Sequence, residues 1–284
     1  MNKNNIFLEW EKKMDKIAIV SDIHGNITAL NTVLNDIKER KVDKIIGLGD
    51  YVVKCANPDM VLDIVKKEFD ICILGNCDEI MCSDKAYEKK FWTRMKIGEE
   101  RANFLKSLPV MYEFYLSGQL VRLFHASPQG LSHIFNPMFS NSNSNNIYKE
   151  LELKSAEQLF ENTEFIGKSA NDIVPDIIGF GHLHTPNLYK YNNKTIFNTG
   201  SVGIPNEMEN TGKDSFDNQF STLSSYVILE GNLNSRELGP ISFTNVRIPY
   251  DIQKEIDYLN DSDMPGKEKI IFTLKTASIC FKKE

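Results

Sequence analysis

Apolar residues in the first quarter of the chain fall into short unbroken runs. Each run ends in small or polar residues and is followed by a stretch with helical spacing. Ile17-Ala18-Ile19-Val20 leads into Ser21-Asp22-Ile23-His24-Gly25-Asn26. An apolar run of this length bounded by turn residues predicts a buried strand, here over 16–21. From Asn26 to Arg40 the apolar positions Ile27, Leu30, Val33, Leu34 and Ile37 mark one face of a helix. Residues 43–48 predict a second strand ending in Gly49-Asp50. Asn57-Pro58 opens a second helix, with Asn as N-cap, Pro in the first position, and Val61, Leu62, Ile64 and Val65 as its stripe. Residues 69–74 predict a third strand, ending in Gly75-Asn76-Cys77-Asp78. This β-α-β-α-β order implies parallel strands joined by right-handed crossovers.

Residues 79–108 carry two helical pieces, the second with Ile97, Arg101, Phe104, Leu105 and Leu108 on one face. After Pro109 the period changes to that of strands over 110–116 and 119–125, around Ser117-Gly118. Residues 136–147 read as a polar loop. Ser155 with Gln158 forms a capping box that predicts a helix. Residues 176–180 predict a strand ending in Gly181-His182-Leu183-His184, and 188–191 with 195–198 a hairpin around Asn192-Asn193. Residues 199–205 form a glycine-punctuated loop, and 206–220 read as a polar, mobile one. Strands over 224–229 and 241–248 and helices over 251–259 and 266–277 close the chain. Residues 1–14 read as an extension. Residues 15–284 read as one domain with a helical insertion at about 79–108.

Composition narrows the class. The 284 residues are 41% hydrophobic and 25% charged, with a net charge of −6. A chain this acidic offers no extended basic face for nucleic acid. A small phosphate-bearing substrate remains compatible, because bound cations reverse the local field. The five cysteines have no repeated spacing. No run approaches the roughly 20 apolar residues of a membrane helix. Charges at Lys3, Glu9, Glu11, Lys12 and Lys13 interrupt any leader-like segment. A cytoplasmic protein with reduced thiols is the expectation.

The strand ends carry the chemistry. Asp22 and His24 follow the first strand, Asp50 the second, Asn76 and Asp78 the third; His125 ends a hairpin strand, and His182 and His184 follow a later one. Four of the five histidines therefore sit at strand ends, His133 being the exception. Imidazoles, carboxylates and an amide, without a cysteine pair, suit two borderline divalent metals better than a structural zinc or a magnesium. Two neighbouring cations need a shared anionic ligand, and Asp50 is the best placed. Two-metal centres typically activate water for in-line displacement at phosphorus.

Asp22-x-His24, Gly49-Asp50, Gly75-Asn76-Cys77-Asp78, His125 and Gly181-His182-x-His184 resemble, in order and spacing, the motifs of the calcineurin-like metallophosphoesterases. The resemblance extends to Asn198-x-Gly200-Ser201-Val202-Gly203-x-Pro205 and to Ile248-Pro249-Tyr250-Asp251, and points to a compact bacterial, phosphodiesterase-type branch. It implies an α/β (α+β) fold, a four-layer αββα sandwich of two mixed sheets flanked by helices. It implies that Asp22, His24, Asp50 and His184 hold one metal and Asp50, Asn76, His125 and His182 a second. Manganese is first choice, with iron, nickel and zinc also suited. The implied reaction is hydrolysis of a phosphodiester or nucleotide-type ester by a hydroxide between the metals, with Asp50, Asn76, Cys77 and Asp78 as catalytic positions.

Many members of that family have His where this chain has Cys77. A neutral thiol is a weak donor, so Cys77 is expected to favour diesters or good leaving groups, with Asp78 orienting it. Two rival readings are a non-catalytic binding scaffold and a serine/threonine protein phosphatase. The intact ligand set weighs against the first. The second is disfavoured by Gly-Asn-Cys-Asp and by the absence of an arginine beside any motif. Arg122 is three residues from His125, on the opposite strand face. Phe91 and Trp92 read first as core aromatics, and second as a stacking surface for a nucleotide base.

Overall fold

The first strand, β1 (Asp15–Val20), is buried on both faces along its apolar run. Ile17 and Ile19 enter one core and Ala18 and Val20 another, as the alternation of side chains along a strand requires. That double burial is why the run has no polar break. The computed structural model describes residues 14–89, 91–133, 135, 151–167, 173–210 and 216–277. The extension expected over 1–13 and the Asn/Ser loop of 136–147 lie outside the described residues.

The elements that follow are α1 (Ile27–Glu39), β2 (Lys44–Gly47), α2 (Pro58–Glu68) and β3 (Ile71–Cys72). Then come α3 (Asn76–Cys82), α4 (Asp84–Glu88), α5 (Trp92–Lys106), β4 (Met111–Leu116) and β5 (Gln119–Phe124). A 3₁₀ turn at Ala156–Phe160 precedes β6 (Ile177–Phe180), β7 (Asn187–Tyr191) and β8 (Lys194–Asn198). The chain closes with β9 (Asn206–Asn210), β10 (Phe216–Phe220), β11 (Leu223–Gly231), β12 (Ser242–Pro249), α6 (Ile252–Asp261) and α7 (Lys267–Thr276).

Two mixed five-stranded sheets result, in the orders β12-β11-β1-β2-β3 and β4-β5-β6-β8-β7. In the first, β1, β2 and β3 are parallel and β11 runs antiparallel to β1. In the second, β5, β6 and β8 are parallel. The sheets face each other across Ile17, Ile19, Ile46 and Leu48 on one side and Val121, Leu123, Ile177 and Phe197 on the other. Helices α1, α2 and α5 cover the far face of the first sheet through Leu30, Val33, Val61, Leu62 and Leu105. The far face of the second sheet is covered, among the described residues, by Phe135, Leu153, Leu159 and Phe160. This is the sandwich the resemblance implied. Among the described residues no helix is long and apolar enough to cross a membrane.

Several local readings are corrected. Residues 206–220, read as a loop, contain the antiparallel pair β9–β10. The third strand shrinks to Ile71–Cys72, because Leu74 gives its N–H to Pro109 O rather than to the sheet. The capping box at Ser155 does not form: Gln158 Oε1 accepts Lys154 N at 2.7 Å, and only a 3₁₀ turn follows. Asn57 stands at the N-cap of α2 but makes no side-chain capping bond. Asn26 does cap α1, accepting Ala29 N at 2.9 Å. The two helical pieces expected over 79–108 become three helices, and α5 itself breaks at Gly98 (φ 70°).

Candidate metal centre

Parallel pairing brings the C-terminal ends of β1, β2, β5, β6 and β8 to one edge of the sandwich, where a crevice forms beyond the strands. The chain just past these ends is tied together by backbone bonds: Asp22 N to Gly49 O (3.0 Å), His24 N to Asp50 O (2.9 Å), Gly203 N to Asp22 O (3.0 Å) and Gly181 N to His125 O (2.9 Å). The two sheets approach closely here. A Cβ on Gly181 would fall 2.0 Å from Ser21 Oγ and 2.6 Å from Asp22 Oδ2, so only glycine fits.

Asp22, His24, Asp50, His182 and His184 all adopt left-handed backbone, with φ of 56°, 55°, 54°, 63° and 62°. Non-glycine residues rarely do so. Each costs on the order of 1–3 kcal/mol, and such residues cluster where a site over-determines them. Val53 and Lys54 follow, both at φ 74°.

Three imidazoles are oriented alike. Nδ1 of His24 faces Val52 O at 3.2 Å, that of His125 faces Leu48 O at 2.8 Å, and that of His184 faces Ile204 O at 2.5 Å. A carbonyl only accepts, so Nδ1 carries the proton and Nε2 presents its lone pair to the crevice. His24 Nε2 and His184 Nε2 then stand 3.0 Å apart. Asp22 Oδ1 lies 3.2 Å from His184 Nε2 and 3.7 Å from His24 Nε2, buried and without a hydrogen-bond partner. Lone pairs converging on an orphaned carboxylate oxygen fit a cation. The nearest positive group is Lys54 Nζ, 2.9 Å from His24 Nε2 and 3.5 Å from His184 Nε2.

A second group gathers around Asn76. Its Oδ1 lies 2.9 Å from His125 Nε2 and 3.1 Å from His182 Nδ1. Asp50 stands between the groups, Oδ2 3.8 Å from His24 Nε2 and Oδ1 3.5 Å from His125 Nε2. Ligand atoms of Asp22, His24 and His184 lie within 4.8 Å of one another, as do those of Asp22, Asp50 and His125, and of His24, Asp50 and Cys77.

The electrostatics follow from burial and neighbours. Burial pushes the Asp22 carboxyl up, but His184 and the other histidines outweigh it and hold the group well below its ordinary value. Burial and the Lys54 charge hold His24 well down. Burial brings His182 down to about 4. At His125 burial also pulls down, but Asp50 and Asp22 reverse it and the net shift is upward. Burial and Asp50 push the Cys77 thiol well up, so it is protonated.

The expected role of Asp78 is corrected by its bonds. Oδ2 accepts Asp50 N (2.7 Å) and Gly75 N (3.1 Å), and Oδ1 accepts Tyr51 N (3.0 Å) and Val52 N (3.3 Å). It straps the loop that carries Asp50 instead of orienting the Cys77 side chain. Burial and Asp50 push this carboxyl up to about 7. Cys77 gives its backbone N–H to Asp50 Oδ1 at 2.8 Å. Arg122 is fully buried, bonded to Glu113 (2.6 Å) and Asn162 (2.7 Å), as its strand parity implied. Two contributors carry no mark in the spacing of residues. Ser21 Oγ donates to Asp22 Oδ2 at 2.6 Å, and Lys54 reaches the imidazoles.

A model of the calcineurin-like phosphoesterase superfamily domain matches residues 16–213. An uncharacterized protein of Methanocaldococcus jannaschii is 30% identical over 260 residues, covering 88% of this chain and 93% of that protein. The chain belongs to the calcineurin-like phosphoesterase superfamily. It is thus a hydrolase acting on phosphoric ester bonds, in a metal-dependent family. The fold agrees with two solved structures. A metallophosphoesterase from Sphaerobacter thermophilus superposes with a TM-score of 0.62 at 21% identity, over 93% of this chain and 99% of that one. A hypothetical protein from Pyrococcus horikoshii does so with a TM-score of 0.65 at 18% identity, over 92% and 98%. The membership shown is that of the superfamily.

Proposed function

We propose that this phosphoesterase binds two divalent ions, manganese first among them, and hydrolyses a phosphodiester or nucleotide-type phosphate ester. In this reading Asp22, His24, Asp50 and His184 would hold the first ion, and Asp50, Asn76, His125 and His182 would hold the second. Residues 15–284 act as a single domain. The observation that carries the reading is the Asp50 carboxylate, placed with one oxygen toward each histidine group. A shared anion offsets the repulsion of two adjacent cations.

When bound, such an ion pair lowers the pKa of water and clamps the oxygens of an in-line displacement. The net reaction adds water across a P–O bond: its oxygen joins phosphorus, and the leaving oxygen takes a proton. The chain's own groups set the stage for this. The carbonyls of Val52, Leu48 and Ile204 fix the imidazole tautomers. The Asp78 strap and the Cys77 N–H fix Asp50. A neutral, buried Cys77 thiol is a poor proton donor to a leaving oxygen, which supports diesters and esters with good leaving groups as substrates.

The test is turnover of bis(p-nitrophenyl) phosphate and p-nitrophenyl phosphate by metal-stripped protein, with and without manganese. Manganese-dependent cleavage, faster for the diester and lost in Asp50→Asn, is expected. No cleavage of either ester with manganese, nickel or zinc would overturn the reading.

A further inference from the structure

A cavity of about 450 Å³ lies beside the centre, bordered by Lys54, Met81, Phe91, Trp92, Lys269 and Ile270. This falls within the range of small-molecule sites, about 300–1,000 Å³. Lys54 belongs to both places: it borders the cavity, and its ammonium touches His24 and His184. Met81 comes from α3, the helix that begins at Asn76. The cavity therefore adjoins the groups that would flank a reacting phosphate.

Its walls are specific. Trp92 is half-buried, and its Nε1 donates to Asp263 Oδ1 at 2.7 Å, which fixes the ring. Phe91 beside it is 39% exposed, an unusual position for a core aromatic. Fixed aromatic faces stack flat rings at little entropic cost. Lysines at two edges add positive charge to an otherwise apolar cavity. The Lys54 loop is rigid: Cys55 N donates to His24 O at 2.8 Å, and Asp78 holds Tyr51 and Val52. A cation held by His24 and His184 repels the Lys54 ammonium from them, and the space that Lys54 borders is this cavity.

Building on the phosphoesterase reading above, we propose that the cavity is the subsite for one of the groups esterified to the reacting phosphate. It takes an aromatic, nucleobase-bearing group, with Lys54 meeting the phosphate that joins it to the reacting centre. The substrate class is then a nucleoside phosphate ester rather than a simple alkyl one. Trp92 and Phe91 are specificity residues in this arrangement.

The test uses two readouts. Trp10 and Trp92 are the two tryptophans, so Trp10→Phe isolates Trp92 emission. In that protein, without added metal, adenosine 5′-monophosphate is expected to quench saturably, whereas ribose 5-phosphate is not. With manganese present, Lys54→Met should weaken adenosine 5′-monophosphate quenching about tenfold and leave adenosine unchanged. With manganese, thymidine 5′-(p-nitrophenyl phosphate) should show a KM roughly 5- to 150-fold below that of methyl p-nitrophenyl phosphate, the span expected for one stacked base. Trp92→Phe should keep most of that advantage and Trp92→Ala should lose it. If Trp92→Ala does not fold, Phe91→Ala and Lys269→Glu make the same comparison from the rim. Equal KM values, or equal quenching by ribose 5-phosphate, would overturn the subsite and leave the hydrolase reading standing. Quenching by adenosine 5′-monophosphate alone, with no hydrolysis of either ester, would do the reverse.

Discussion

Replacing Glu255 by Gln should remove a pH dependence of stability that the wild-type chain carries. Glu255 lies on α6 and is fully buried. Its Oε2 accepts Thr28 N, in the first turn of α1, at 3.2 Å, and its Oε1 has no hydrogen-bond partner. Burial raises this carboxyl from its usual 4.5 to about 7, with the Thr28 bonds pulling the other way. The unfolded chain releases this proton near 4.5 and the folded one near 7. Between those values the folded state binds more protons, so stability falls as pH rises. The contribution is whole below about 4.5 and lost as pH passes about 7. At about 1.4 kcal/mol per pH unit, that interval is worth roughly 3 kcal/mol. Urea unfolding at about pH 5 and about pH 8 measures it, as the difference between wild type and Glu255→Gln. The wild type should lose roughly 2.5 kcal/mol more than the variant across that range, which begins just above the unfolded-state value. Parallel pH profiles for the two proteins would show that Glu255 does not carry this proton linkage.

Other expectations concern the centre. Gly181→Ala places a methyl group 2.0 Å from Ser21 Oγ. It should cost about 1–3 kcal/mol by overpacking and weaken manganese binding by displacing Asp22, read by thermal melts and equilibrium dialysis. Asp78→Ala strands the amides of Asp50, Tyr51, Val52 and Gly75. At about 1–3 kcal/mol per unpaired buried group it should abolish folded protein, whereas Asp78→Asn, which keeps one acceptor oxygen, should retain a weakened fold by circular dichroism. Cys77→His should raise monoester cleavage relative to diester cleavage, and an unaltered ratio of the two kcat/KM values would refute the role given to the thiol.

What the residues reveal before any coordinates depends on how strongly each position is constrained. The strand ends are legible because Asp22, His24, Asp50, His182 and His184 interrupt apolar runs that have no structural use for them. The helices with a clean stripe, α1 and α2, are legible for the same reason. The hairpin β9–β10 is not, since NEMEN and FDNQF show no apolar alternation. Asp78 was expected beside the Cys77 side chain, and its actual partners are backbone amides, which no side-chain pattern encodes. Lys54 is invisible for a related reason. A loop lysine reads as solvated, and only the left-handed backbone of Val53 and Lys54 turns it inward. Trp92 packs against a buried cluster, as the core reading expects, while its place with Phe91 on a cavity wall is a matter of tertiary structure that composition does not encode.

The most direct measurement is the number of manganese ions bound per chain at equilibrium, in wild type and in Asp50→Asn. Two ions in the wild type, with at least one lost in the variant while the fold is kept, are expected if Asp50 joins the two histidine groups. A single ion in the wild type, or two retained in Asp50→Asn, would contradict a shared two-metal centre.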